Sequence, residues 1–391
     1  MTVPRKERIV FLGMITKIPV GGAVWGMMQY LVGLERLGYE VYYVEAHART
    51  PSMFMVNDDD DSSALAAAYL GTLMERFGFR DRWAFHALHD DGRCYGMTES
   101  QLREAYRSAA LIINYHGGTM PLPEHYETNR LIYLETDPVE LEIELHNHDE
   151  AAIAFLAPHR AFFTWAQNYG HPDCRVPLPD GFSFHTTLPP IVPDLWVPSE
   201  NGGGEPFTTI GNWRQPWREV VFEGEVYHWS KHHEFLKVID LPRRTPQPFE
   251  LALGSYEPED RRLLEEHGWR VRDSLSISTD LDAYRDYVCR SRGEFTVAKD
   301  QNVRLRSGWF SERSAQYLAA GRPVITQETG FSNSLPTGEG LFGFSTTEDI
   351  LAAVDAINSD YPRACRAARE IAREHFSYDV VLPRLLDQAG L

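Results

Sequence analysis

The sequence predicts an α/β protein made of two doubly wound parallel-sheet units that face each other across a cleft. Three observations carry this. Short continuous apolar runs, the kind a strand buried on both faces requires, alternate with segments of helical spacing. The alternation stops at a proline-rich stretch and then restarts. The chain has 391 residues, enough for two domains that each bury a core.

The first unit opens with Ile9, Val10, Phe11, Leu12 and Gly13, an apolar run that reads as a buried strand. A glycine-bearing loop (Pro19, Val20, Gly21, Gly22) leads to residues 25–37, where Trp25, Met28, Leu31, Val32 and Leu34 recur at helical spacing. Gly38 follows as a helix terminator, and residues 39–45 form a second strand. Such a loop presents backbone amides to an anion, although the GxGxxG spacing of a dinucleotide site is missing. Helices are expected over 62–77 and 99–108, and strands over 110–114 and 131–134. Phe162, Phe163 and Trp165 read as core.

Seven prolines between positions 177 and 206, with Gly202, Gly203 and Gly204, mark the domain boundary. Residues 182–187 (FSFHTT) are expected either to line the cleft or to pack on their own domain. The second unit restarts with strands over 207–211, 249–253, 268–271, 294–298 and 323–326, helices over 258–267 and 281–291, and a helix N-capped by Ser311 and terminated by Gly321. Helical segments at 347–358, 361–375 and 379–386 close the chain. The expected domains are 1–200 and 205–391, both Rossmann-like, with the last helix crossing back to the first.

Composition narrows the function. Apolar residues are 43%, aromatics 12% and charged residues 24%, the profile of a globular enzyme. With 56 acidic against 38 basic side chains the net charge is -18, which disfavours nucleic acid and anionic membranes as partners. Cys94, Cys174, Cys289 and Cys365 are far apart and form no CxxC pair, which fits a reducing cytoplasm. No run approaches a membrane span.

Chemistry is expected where the carboxyl ends of the two sheets face each other. Residues 299–311 read as a loop suited to a diphosphate, with Lys299, Arg304, Arg306, Ser307 and Gly308 leading to the helix start at Ser311. In the first unit His116, followed by Gly117 and Gly118, is placed to deprotonate an acceptor hydroxyl or touch a sugar. Asp137 is placed likewise, with a helix cap as its plainer role. Asp58 to Asp61 and the Asp280–Asp282 pair are read as solvent-exposed, with Asp280 as an N-cap. His146 with His148, and His228 with His232 and His233, lack a closed four-ligand spacing, so no metal is expected.

Residues 308–324 (GWFSERSAQYLAAGRPV), with the strand EFTVAK before them and the opening IVFLG segment, resemble the two-domain GT-B glycosyltransferases, in particular the glycogen-synthase-like retaining branch with its E-x7-E motif ahead of an AxGxPV turn. The likeness implies a sugar transferred from a nucleotide-diphosphate donor to a hydroxyl of a small molecule or glycan, without metal. It places the second motif glutamate, which holds the ribose, at Gln316, and the first, which contacts the sugar, at Gly308. Glu312, one turn before Gln316, is a neighbouring carboxylate. The resemblance also implies a cation on the leaving diphosphate after the first strand of the second unit, where Asn212 and Arg214 stand, and Arg214 is preferred to Arg218 as nearer the strand end. Gly21 and Gly22 would face the donor from the first domain. The alternatives are a sugar-nucleotide epimerase on the same fold and a catalytically silent nucleotide-binding or scaffold protein.

Overall fold

A computed structural model describes residues 6–46, 51–57, 59–197 and 205–391. The first sheet contains β1 (Arg8–Leu12), β2 (Glu40–Glu45), β3 (Trp83–His86), β4 (Cys94–Gly96), β5 (Ala109–Tyr115), β6 (Leu131–Glu135), β7 (Ala161–Thr164) and β8 (Phe184–Thr186). Its order is β4-β3-β2-β1-β5-β6-β7-β8, parallel throughout except for the β3–β4 edge. After β9 (Phe207–Asn212), a hairpin of β10 (Val220–Phe222) and β11 (Glu225–Tyr227) stands apart from the sheets. The second sheet joins β9 to β12 (Phe249–Gly254), β13 (Arg270–Asp273), β14 (Gly293–Thr296), β15 (Val324–Gln327) and β16 (Leu341–Phe344), in the order β13-β12-β9-β14-β15-β16. Each sheet therefore reverses direction beside its first strand, which opens a crevice at the carboxyl ends there.

The strand interiors explain this arrangement. Ile9, Val10, Phe11 and Leu12 are fully buried, as a parallel strand covered on both faces demands. The first helix, Gly21–Arg36, starts four residues before the point its apolar period indicates. The early start has a packing cause. A Cβ on Gly21 would lie 2.6 Å from Cβ of Tyr284, on the second-domain helix Leu281–Arg290. Nearby, Trp25 Nε1 donates to the Leu281 carbonyl at 3.0 Å, so the two domains close on each other along this helix.

Gly38 takes φ 101° after the first helix, as a left-handed terminator should. Phe163 and Trp165 are core, as their composition indicates. Residues 184–186 pair in parallel with β7 and so extend their own domain's sheet instead of lining the cleft. Asp280 caps its helix by accepting from Ala283 N at 2.7 Å. Asp61 does the same for Ala64 N at 2.9 Å, and Asp58 lies outside the described residues. The final helix, Tyr378–Gln388, packs on the first: a Cβ on Gly33 would meet Leu382 at 2.7 Å and Tyr378 at 2.8 Å.

Residues 213–247 follow neither period in the sequence, and their structure is correspondingly irregular. The hairpin turns at Glu223 and Gly224, whose φ values of 53° and 79° are those of a two-residue type I′ turn. A short helix, His232–Leu236, follows. No helix of the described residues is long and apolar enough to cross a membrane.

Candidate functional site

The crevice is floored by the carboxyl ends of β5 and β6 on one side and of β9 and β14 on the other. His116, directly after β5, has φ 52°, and its Nδ1 lies 3.0 Å from Thr136 Oγ1. Burial pulls its imidazole down to about 4, with Asp137 opposing, so the ring is neutral at physiological pH. A group of that basicity is a weak general base and a good neutral hydrogen-bond partner. Asp137, after β6, is no helix cap. It pairs across the cleft with Lys299 Nζ, and its Oδ1 is buried without a partner among the described residues. The next turn is strained: Val139, β-branched and fully buried, sits at φ 99° while its amide donates to Glu142 Oε2 at 2.7 Å.

The second domain supplies the cations. Lys299 follows β14, and its ammonium lies 3.1 Å from the centre of the Trp229 ring. The Arg218 guanidinium lies 3.6 Å from the same ring, and Arg218 NH2 also donates to Glu140 Oε2 of the first domain at 2.7 Å. Lys231, two residues beyond Trp229, stands 5.6 Å from the Trp309 ring, and among the described residues its ammonium has no hydrogen-bond or ion-pair partner. Burial pulls Lys231 down to about 7, with Arg313 and Lys299 pushing the same way. Burial also pulls Lys299 down to about 8, against the pull of Asp137. Lys299 is buried and ion-paired, and Lys231 is half-buried and unpaired among the described residues, so Lys231 is the cation left available at this site.

Glu312 opens the helix Glu312–Ala319. Its half-buried carboxylate has no side-chain hydrogen-bond or ion-pair partner among the described residues, and burial raises its pKa while Arg313 and a bond from its own amide oppose. Arg313 is anchored below it, with Nε donating to the buried Glu294 at 2.6 Å and NH2 to Thr296 Oγ1 at 2.9 Å. Trp309 Nε1 donates to the Thr136 carbonyl at 2.9 Å and closes the cleft from the side.

Several residues expected on the donor have other occupations. Arg214 grips Asp260 through Nε and NH2, at 2.8 and 2.5 Å, and these bonds hold that carboxyl down at about 2. The cause is the backbone path, since Trp213 N and Arg214 N bond to the carbonyls of Gly254 and Ser255 and carry the chain alongside β12. The exposed Asn212 stays at that same strand end. Arg218, four residues on, is the arginine that reaches the cleft.

Residues 299–311 are not one loop, because Asp300–Arg304 is a short helix. Beyond it, Arg306 bonds Asp173 at 2.6 Å, and Ser307 Oγ donates to Asn302 at 2.6 Å. Gly308 has φ 78°, and a Cβ there would lie 2.3 Å from the backbone nitrogen of Asn168. No glutamate fits at that position. Ser311 is the expected N-cap, accepting from Arg313 N at 3.2 Å.

Gly21 and Gly22 do not face an open donor pocket. Tyr284 covers them, its hydroxyl 3.3 Å from where a Gly22 Cβ would stand. That hydroxyl donates to Gln316 Oε1 at 2.9 Å. Gln316 is fully buried, and its Nε2 has no partner among the described residues. Sequence reasoning missed Lys231, Trp229 and Trp309. Its available signal was a lysine flanked by tryptophan and histidines in a segment of no period.

No family model and no curated protein sequence matches this chain. Solved structures match over almost the whole length. An α-glucosyltransferase in complex with UDP superposes with TM-score 0.60 at 10% identity, covering 98% of this chain and all of that one. HepE from Anabaena, solved with UDP and glucose, gives 0.56 at 12% identity over 98% and 99%. Sucrose-phosphate synthase from Thermosynechococcus elongatus gives 0.54 at 12% identity over 98% and 99%. The fold is that of the GT-B glycosyltransferases: two Rossmann-like domains facing across a cleft.

Proposed function

We propose that the protein is a glycosyltransferase that moves a sugar from a nucleotide-diphosphate donor to a hydroxyl of a small-molecule or glycan acceptor, with retention and without a metal at the reacting centre. The observation that carries this reading is the group of cations at the sheet reversal, half-buried Lys231 without an ion-pair partner among the described residues, buried Lys299 and Arg218. A diphosphate is a partner for Lys231, and in a water-poor cleft those cations stabilise the charge growing on the leaving group. The bond from the anomeric carbon to the diphosphate oxygen breaks, and a bond to the acceptor oxygen forms. The acceptor proton passes to a diphosphate oxygen.

His116, neutral, is a partner for a sugar hydroxyl, and Asp137 Oδ1 is a second acceptor there. Glu312 takes the place of the motif carboxylate that Gly308 excludes. UDP sugars are the first donors to test, because neighbours of this fold were solved with UDP, and the net charge of -18 turns the choice of acceptor away from nucleic acid.

The test is a thermal-shift screen against UDP, GDP, dTDP, ADP and their sugar conjugates, on the wild type and on Lys231→Ala and Lys299→Ala. A nucleotide-selective rise that both substitutions remove supports the reading. No rise with any nucleotide, in protein shown to be folded, sinks it. Donor consumed without an acceptor would mark an epimerase instead.

A further inference from the structure

The loop that carries Trp229 and Lys231 is bracketed by three side chains that the sugar-transfer reading does not use. Glu219 directly precedes β10, and His228 directly follows β11. The hairpin pairs Val220 with Tyr227, so Glu219 and His228 are the next facing positions at its open end. Their side chains meet, with Glu219 Oε1 2.7 Å from His228 Nδ1. His233, on the following short helix, lays its ring against His228 with centroids 4.1 Å apart. One ligand atom from each of the three lies within 4.8 Å of the others.

We propose that Glu219, His228 and His233 form a binding site for a divalent transition-metal ion of the zinc type, which fastens the hairpin to the helix and so holds the Trp229–Lys231 loop in place. Two imidazoles and a carboxylate are a donor set that zinc accepts, with water completing the shell. Metal–ligand bonds of about 2.1 Å put neighbouring ligand atoms roughly 3.4 Å apart, a spacing inside the 4.8 Å that these three ligand atoms keep.

Two further features suit the role. The backbone at His228 is held in place, its amide donating to Asp300 Oδ2 at 3.0 Å. The type I′ turn at Glu223 and Gly224 makes the hairpin a stiff mount for two of the three ligands. The ion is structural. It lies outside the proposed transfer chemistry, and its binding is measured without any nucleotide.

The experiment is a titration of the chelator-treated, full-length protein with Co2+, read by its visible ligand-field absorption and then by displacement with Zn2+. The wild type should bind one equivalent, and amide exchange across residues 219–234 should slow on loading. The His228→Asn/His233→Asn double variant should lose roughly a hundredfold or more in affinity. Glu219→Gln, at an exposed position that leaves the fold alone, should lose about tenfold, and His185→Asn, on the edge strand, should lose nothing. Equal Co2+ affinity in the wild type, the double variant and Glu219→Gln would mean an adventitious ion only and would overturn the proposal, as would binding with no change in exchange over 219–234.

Discussion

Two segments of the second domain bring cations to the cleft, and they differ in what the cations do there. Residues 299–313 carry the motif-like sequence, yet most of their polar groups bind the molecule to itself. Arg306 holds Asp173, Ser307 holds Asn302, Gly308 lies against Asn168, and Arg313 holds Glu294. Residues 213–234 have no motif and no period, yet they supply Arg218, Trp229 and Lys231, and Lys231 has no charge partner among the described residues. The recognisable segment is mostly the frame of the site, and the unrecognisable one holds Lys231, the lysine without an ion-pair partner among the described residues. Lys299 belongs to both, paired with Asp137 and stacked on Trp229.

The sharpest way to break this contrast is at Gly308. If the segment is a frame, Gly308→Ala should destabilise the fold by roughly 2–4 kcal/mol, from a left-handed φ combined with a backbone clash. Chemical denaturation measures this, and a loss under 1 kcal/mol would show that the close approach to Asn168 yields easily. Next in size, Lys231→Ala or Lys299→Ala should weaken UDP binding roughly 10- to 150-fold, the range of a lost charge-assisted contact of about 1.5–3 kcal/mol. The melting temperature of Lys231→Ala should hold steady or rise, since it removes an unpaired cation that burial disfavours, whereas that of Lys299→Ala should fall, because Asp137 then loses its ion-pair partner.

A pH series sharpens the same point. Lys231 and Lys299 titrate near 7 and 8 in the folded protein, below an unfolded lysine, so between about pH 7 and 10 the unfolded chain binds more protons. Stability of the empty protein should therefore rise with pH across that window. UDP favours the protonated lysines, so its binding at pH 8 should take up protons, and its affinity should fall from pH 7 to pH 9. Calorimetry in buffers of different ionisation enthalpy reads the uptake, and a value of zero would remove the lysines from the contact. The smallest effect belongs to Arg214→Ala, which should cost about 1 kcal/mol of stability through Asp260 and change UDP affinity less than about threefold.

Much of the fold was legible because it follows from periodicity. The runs 9–13, 110–114 and 131–134 are strands since only apolar residues tolerate burial on both faces, and Gly38, Ser311 and Gly321 end or begin helices by backbone chemistry that is local in sequence. The site was legible only in part, for an equally physical reason. His116, Lys299 and Glu312 follow strand ends or a helix start, and the fold itself carries those places into the cleft. Arg214 and Arg306 stand at similar places, but their partners Asp260 and Asp173 come from elsewhere in the chain, and no local pattern announces such pairings. Lys231 and Trp229 reach the cleft through an irregular hairpin whose path is set by tertiary contacts. Gly21 and Gly22 read as an anion loop but are glycines because Tyr284 fills the space beside them.

The most direct test of the account is calorimetric UDP binding to the wild type, Lys231→Ala and Arg214→Ala side by side. The account predicts that Lys231→Ala loses at least about tenfold in affinity together with the proton uptake, while Arg214→Ala stays within about threefold of the wild type. The reverse pattern, with Arg214→Ala crippled and Lys231→Ala unchanged, would contradict it and return the donor phosphates to the end of β9.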